Sequence, residues 1–213
     1  MDLNEIKDEL GIPEIKMGCA HILFLDISST CTGYTIAAVN FEEKTAELTA
    51  AGCLWLDNDW SHQEKYCYMA EAIRGYFWIV ENIDYIVVES YNINPRKMTG
   101  VNVVSEMQGA IKASAWDNGV KVVSIPPQSW RSTLKIKKNV MGDYKTPTKD
   151  RVLEYVAVPE EVTSNLTGNS RKTPSDVYDA IAIGLAWLQR FGMKTIETSN
   201  TKFNSHIGAV SPT

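Results

Sequence analysis

Two short apolar runs in this chain each stop at a carboxylate, and nothing else in the sequence constrains the fold as much. His21-Ile22-Leu23-Phe24-Leu25 ends at Asp26, and Tyr85-Ile86-Val87-Val88 ends at Glu89. Uninterrupted apolar runs of this length read as strands covered on both faces, the kind found at the centre of an α/β sheet. A carboxylate abutting such a strand is costly unless it is paired or holds a metal. Asp26 is followed by the small, hydroxyl-rich turn Ser28-Ser29-Thr30-Cys31-Thr32-Gly33 and a second strand, Tyr34–Val39. Its position before a turn is also ordinary turn chemistry.

A second acidic pair opens the apolar run Ser175–Leu188. Asp176 and Asp179 are three residues apart, so a helix projects both from one face, with Ile183 and Trp187 continuing the stripe. Acidic residues in a first helical turn also complement the helix dipole. The joint arrangement argues for more. Four carboxylates from separate segments suit a hard cation such as Mg²⁺ or Mn²⁺, and two such ions support an in-line displacement at phosphorus.

The order of these segments resembles the RuvC-type Holliday-junction resolvases of the ribonuclease H-like superfamily. The resemblance rests on Asp26-Ile27-Ser28-Ser29-Thr30-Cys31-Thr32-Gly33-Tyr34, the strand-ending Glu89, Gln108-Gly109-Ala110, and Asp176-Val177-Tyr178-Asp179-Ala180, and it spans about residues 21–190. The Pro-Gly often found just after the first Asp is Ile27-Ser28 here, and the basic region is longer. The resemblance implies a ribonuclease H-like α/β fold, a mixed five-stranded sheet flanked by helices. It also implies two Mg²⁺ (or Mn²⁺) ions held by Asp26, Glu89, Asp176 and Asp179. Lys149 matches a lysine near the scissile phosphate, and Arg131 is a looser match to a second basic position.

At 213 residues and 44% hydrophobic content, the chain can bury one sizeable α/β core. Periodicity predicts strands at about 21–27, 33–40, 47–56, 84–89 and 120–125. It predicts helices at about 61–81, 101–118, 127–134, 147–157 and 175–191, the fourth with Thr146 as cap and Pro147 in its first turn. Residues 1–20 read as an N-terminal extension, 21–192 as the nuclease domain, and 193–213 as a polar tail. Cys19, Cys31, Cys53 and Cys67 form no Cys-x-x-Cys pair and read as reduced thiols, consistent with a cytoplasmic protein. No run is long enough to span a membrane, and the acidic N-terminus (Asp2, Glu5, Asp8, Glu9) is unlike a targeting peptide.

The net charge of −5 opposes DNA binding, but the distribution of charge supports it. Arg131, Lys135, Lys137, Lys138, Lys145, Lys149 and Arg151 are a third of the 21 basic residues, set against Asp143 and Asp150 alone. Such a run also suits a solvated loop. Beside a metal site it reads as phosphate contact. Arg96 and Lys97 follow Glu89 in a loop, where Tyr91 could stack at a branch point.

The expected function is therefore a divalent-metal-dependent, structure-selective DNA endonuclease that resolves four-way junctions by paired nicks. Two symmetric nicks imply a homodimer, and the resemblance puts its interface on Val104, Met107 and Ile111. Three alternatives stay open: a broader debranching nuclease for flaps, Y-junctions and forks, a non-catalytic branched-DNA-binding module, and an actin-like ATP-binding enzyme. The last fold needs two such domains, and this chain has the length of one.

Overall fold

The computed structural model describes residues 18–75, 82–90 and 98–198. In chain order these form β1 (Cys19–Asp26), β2 (Cys31–Asn40), β3 (Thr45–Trp55), α1 (His62–Glu71), β4 (Tyr85–Glu89), α2 (Met98–Asp117) and β5 (Lys121–Ile125). There follow α3 (Pro127–Thr133), α4 (Lys145–Leu153), β6 (Glu161–Thr163), β7 (Ser170–Lys172), α5 (Ser175–Arg190) and β8 (Thr195–Thr198). β1, β2 and β3 form an antiparallel meander, while β4 joins β1, β5 joins β4 and β8 joins β3 in parallel.

The sheet is mixed and flanked by helices, as expected, but it has six strands in the order β5-β4-β1-β2-β3-β8, not five. The sixth, β8, lies in the segment read as a polar tail. Thr195-Ile196-Glu197-Thr198 alternates over four residues only, and its pairing with Thr45–Leu48 is set by the distant β3, which no local pattern reveals. The hairpin β6–β7 was likewise not anticipated. It brings Asn165 to the end of β3, where the Trp55 amide donates to Asn165 Oδ1 (2.7 Å) and Asn165 Nδ2 donates to Tyr68 Oη (2.6 Å).

Strand alternation divides the core between two faces. Ile22 and Phe24 of β1, Val87 of β4, and Val123 and Ile125 of β5 face one side, packed with Trp130, Leu134, Val152 and the apolar stripe of α5. Leu23, Leu25, Ile86 and Val88 face the other, packed with Met69 of α1 and Val104, Met107 and Ile111 of α2. That second packing corrects the expected dimer face. Met107 and Ile111 are fully buried inside this chain, so the apolar stripe of α2 is occupied by its own sheet and α1.

Three further expectations change. The helix expected over 61–81 ends at Glu71 and passes into a π turn over 72–75, beyond which 76–81 lie outside the described residues. The helix expected over 147–157 runs from Lys145 to Leu153, with Thr146 inside it. Its first amide, Lys145 N, donates to Asp143 Oδ1 (2.9 Å), so Asp143 does the work assigned to Thr146. Cys31 and Cys53, read as thiols, are joined as a disulfide across β2 and β3 with Cα atoms 6.2 Å apart; Cys19 and Cys67 are free. Strand pairing creates that proximity, and sequence spacing does not show it. Among the described residues no helix is long and apolar enough to cross a membrane.

Burial of Met107 yields a direct contrast. Met107→Glu places an unpaired charge in the core and should destabilise the chain by at least ~3 kcal/mol, whereas Trp116→Glu on the exposed side of α2 should change stability by less than about 0.5 kcal/mol. Thermal unfolding of both variants checks this, and equal melting temperatures would contradict the packing.

Candidate active site

The carboxylates of β1 and β4 meet because the strands do. In the parallel ladder Leu25 is opposite Val88, which places Asp26 and Glu89 side by side at the carboxyl ends of adjacent central strands. By alternation Asp26 follows Ile22 and Phe24, and Glu89 follows Tyr85 and Val87, on the face that α5 covers. Open α/β sheets present their ligand sites at such carboxyl ends.

Helix α5 brings the other pair. Gly33 of β2 is the register partner of Asp26, and a Cβ there would overlap the carbonyl oxygen of Asp176 and lie 2.7 Å from the amide nitrogen of Val177. The missing side chain at Gly33 therefore lets the first turn of α5 settle onto the strand beside Asp26. Gly184 repeats the device further along, where a Cβ would stand 3.1 Å from the Phe24 ring.

The electrostatics show that all four acids share one neighbourhood. Asp26 is half-buried at the surface, yet enclosure by the protein raises its carboxyl well above the usual range, with Asp179, Glu89 and Asp176 adding repulsion in that order. Asp179 is pushed up to about 7, first by burial and then by Glu89, with Arg131 opposing. Glu89 is also raised by burial, against the pull of Trp130 and Arg131. The Thr148 hydroxyl faces Asp179 and lowers its pKa somewhat, without the geometry of a formed hydrogen bond.

Glu89 is the most tightly held of the four. Its Oε1 accepts from the fully buried Trp130 indole at 2.8 Å and lies 3.6 Å from Arg131 Nη2, and its backbone carbonyl accepts from Gln108 Nε2 at 2.8 Å. Arg131 is stacked 4.5 Å from the ring centroids of both Trp130 and Tyr144. Arg131, expected from the sequence to contact DNA, is the cation that partly balances the acidic group. Sequence reasoning missed Trp130, Gly33 and Thr148. A buried indole needs a hydrogen-bond acceptor, but nothing in the sequence says that Glu89 supplies it. The turn after Asp26 is pinned by Ser28, whose hydroxyl donates to Cys31 O (2.6 Å) and accepts from Cys31 N (3.1 Å). The buried Lys65 of α1 adds a bond to Ser29 O (3.1 Å).

The basic residues divide. Lys149 is exposed, with Nζ 5.3 Å from the ring centroid of Tyr178, which lies between Asp176 and Asp179 on α5. Lys135, Lys137, Lys138 and Lys145 are exposed along the segment joining α3 to α4. Arg151 is committed internally, to Leu134 O (3.0 Å), Glu154 and Tyr155 Oη (3.0 Å). Tyr91, Arg96 and Lys97 lie outside the described residues.

Four carboxylates, three of them with raised pKa values, and one arginine to balance them form a donor set that fits a hard divalent cation in charge and chemistry. Among the described residues no three acidic, histidine or cysteine side chains stand placed to hold a metal ion together as they are.

No protein-family model matches the chain, and no curated protein matches its sequence. Solved structures do match. Thermus thermophilus RuvC in complex with Holliday junction substrate is 17% identical, with 82% of this chain and 97% of that one covered and a TM-score of 0.57. A second Thermus thermophilus RuvC structure is 18% identical, covers 81% and 97%, and has a TM-score of 0.59. The yeast mitochondrial Holliday junction resolvase Ydc2 is 13% identical, covers 90% and 85%, and has a TM-score of 0.56. The fold is thus the ribonuclease H-like α/β fold of the RuvC-type resolvases, as the resemblance in sequence implied.

Two predictions follow from the site itself. A carboxyl whose folded pKa exceeds its unfolded value disfavours the folded state as pH rises between the two, here from about 4 to about 7 for Asp179. With chelator present, the wild type should lose stability across that window. Asp179→Asn should be the more stable form at pH 8 and lose its advantage by pH 5; equal melting curves at pH 8 would contradict the assigned burial. Gly33→Ala should cost about 2–3 kcal/mol because backbone must move to admit the methyl group. Its effect on any metal-dependent activity should exceed that of Gly109→Ala, an open position on α2.

Proposed function

We propose that this protein is a divalent-metal-dependent endonuclease that cuts branched DNA, four-way junctions in particular. The observation that carries the reading is the convergence of Asp26, Glu89, Asp176 and Asp179 on one face at the carboxyl ends of β1 and β4, with exposed lysines beside them. The fold shared with RuvC bound to a Holliday junction substrate and with the yeast Holliday junction resolvase Ydc2 supports the choice of substrate.

Asp26, Glu89, Asp176 and Asp179 would hold Mg²⁺ or Mn²⁺, two ions being within the capacity of four carboxylates. When bound, these ions supply activation of water and charge neutralisation at the phosphate. The chain's own residues do the remaining work. Asp26 and Asp179 carry raised pKa values, so a cation or a proton must compensate them near neutral pH. Trp130 and Arg131 fix the rotamer of Glu89, and Gln108 fixes the strand end that bears it. Lys149, next to Tyr178 on α5, offsets charge growing on the scissile phosphate, and Lys135, Lys137, Lys138 and Lys145 contact the DNA backbone. Arg96, Lys97 and Tyr91, which follow Glu89 in sequence, complete the proposed set of DNA contacts.

Paired nicking of a four-way junction needs two active sites, so a homodimer is part of the proposal. Its interface cannot be Val104, Met107 and Ile111. Among the described side chains of α2, Trp116, 83% exposed on the outer side, is the large apolar group left in solvent.

Asp26→Asn, Glu89→Gln and Asp179→Asn should each lower Mg²⁺-dependent cutting of a labelled four-way junction by at least about a thousandfold, with junction binding retained. Four-way, three-way, flap and linear duplex DNAs compared side by side read the selectivity. Full cleavage by any two of the variants would overturn the four-carboxylate site.

A further inference from the structure

Between α3 and α4 the chain displays two adjacent apolar side chains to solvent. Val140 and Met141 are 106% and 83% exposed, among the most exposed large apolar residues described. Their loop is braced from within. Asn139 Oδ1 accepts from Met141 N (2.9 Å) and Asp143 N (3.1 Å), and Asn139 Nδ2 donates to Asp143 Oδ2 (2.7 Å). Asn139 N donates to Asp143 O (3.0 Å) and Gly142 N to Asn139 O (3.0 Å), with Gly142 at φ +84° closing the turn. None of these bonds uses the Val140 or Met141 side chain. The loop is built to hold them outward.

Its surroundings choose the occupant. Lys137, Lys138 and Lys145 are exposed on either side of the tip, whereas the one acid within the loop, Asp143, is occupied by Asn139 and Lys145 N. An exposed valine and methionine flanked by lysines make a poor protein hot spot, which favours an aromatic anchor. They suit a polyanion with apolar surface between its layers, which describes stacked bases flanked by phosphates. The loop is also tied to the acidic site, because Lys138 Nζ lies 5.5 Å from the Tyr144 ring, Tyr144 stacks on Arg131, and Arg131 meets Glu89.

We propose that Val140 and Met141 form a wedge that enters an opened base step of branched DNA while Lys137, Lys138 and Lys145 hold the flanking phosphates. This rests on the nuclease reading and adds a function to it, the local unstacking of the duplex before a strand is cut. Apolar side chains inserted between base pairs unstack and kink DNA in this way.

The test uses the full chain carrying Asp26→Asn, with and without Val140→Ser and Met141→Ser, on a four-way junction with 2-aminopurine beside the branch point. At saturation, confirmed by anisotropy, the parent should raise the fluorescence severalfold and the serine variant should not. Val140→Ile with Met141→Leu should retain the rise. With Asp26 intact, the serine variant should cut the paired junction about tenfold more slowly than the parent, yet match it on a junction with unpaired bases at the crossover. The same fluorescence rise in the serine variant would overturn the wedge, as would equal slowing on both junctions. A fall from dimer to monomer would instead make the patch a subunit contact. If the nuclease reading itself fails, the parent chain will neither bind nor cut branched DNA, a result distinct from all of these.

Discussion

Helix α5 comes to lie against the sheet at a distance that a side chain would forbid. At Gly33 the strand offers bare backbone to the carbonyl of Asp176, and at Gly184 the helix offers bare backbone to Phe24 and Thr35. The contact is extensive, since Ile181, Ile183, Leu185, Trp187 and Leu188 are all buried. Because Gly33 is paired with Asp26, the packing that anchors the largest helix of one core also sets the position of the acidic group. Stability and site geometry here share one contact.

That arrangement sets the fold against itself electrostatically. Burial and mutual repulsion raise the pKa values of Asp26 and Asp179 at the end of an otherwise apolar core face, and among the described groups that act on Asp26 only Arg131 opposes them. Arg131 can do so because it is fixed between Trp130 and Tyr144, and Trp130 in turn holds Glu89. Local destabilisation of this kind is common where side chains must wait for a ligand rather than for each other.

Much of this site was legible in the sequence. Strand alternation places Ile22, Phe24 and Asp26 on one face and Tyr85, Val87 and Glu89 on the matching face, and helical spacing joins Asp176 to Asp179. What could not be read depends on contacts between distant segments. The indole of Trp130 finds Glu89 across 41 positions, and β8 exists because β3 offers an edge. The stripe Val104, Met107 and Ile111 looked the same whether it faced a second subunit or its own sheet; packing against Met69 and Ile86 decided for the sheet. The pairing of Cys31 with Cys53 depends on the β2–β3 register in the same way.

The outer edge of β3 is closed from its two ends by different means. β8 covers Thr45–Leu48, and at Trp55 the carboxamide of Asn165 accepts the amide hydrogen and returns a longer contact to the carbonyl, as a neighbouring peptide group does. A single side chain thus imitates one residue of a seventh strand. Exposed strand edges are templates on which other chains polymerise. With both ends blocked, an incoming strand finds only the middle of β3 left to pair with, so this edge of β3 is less open to addition than a bare strand of its length.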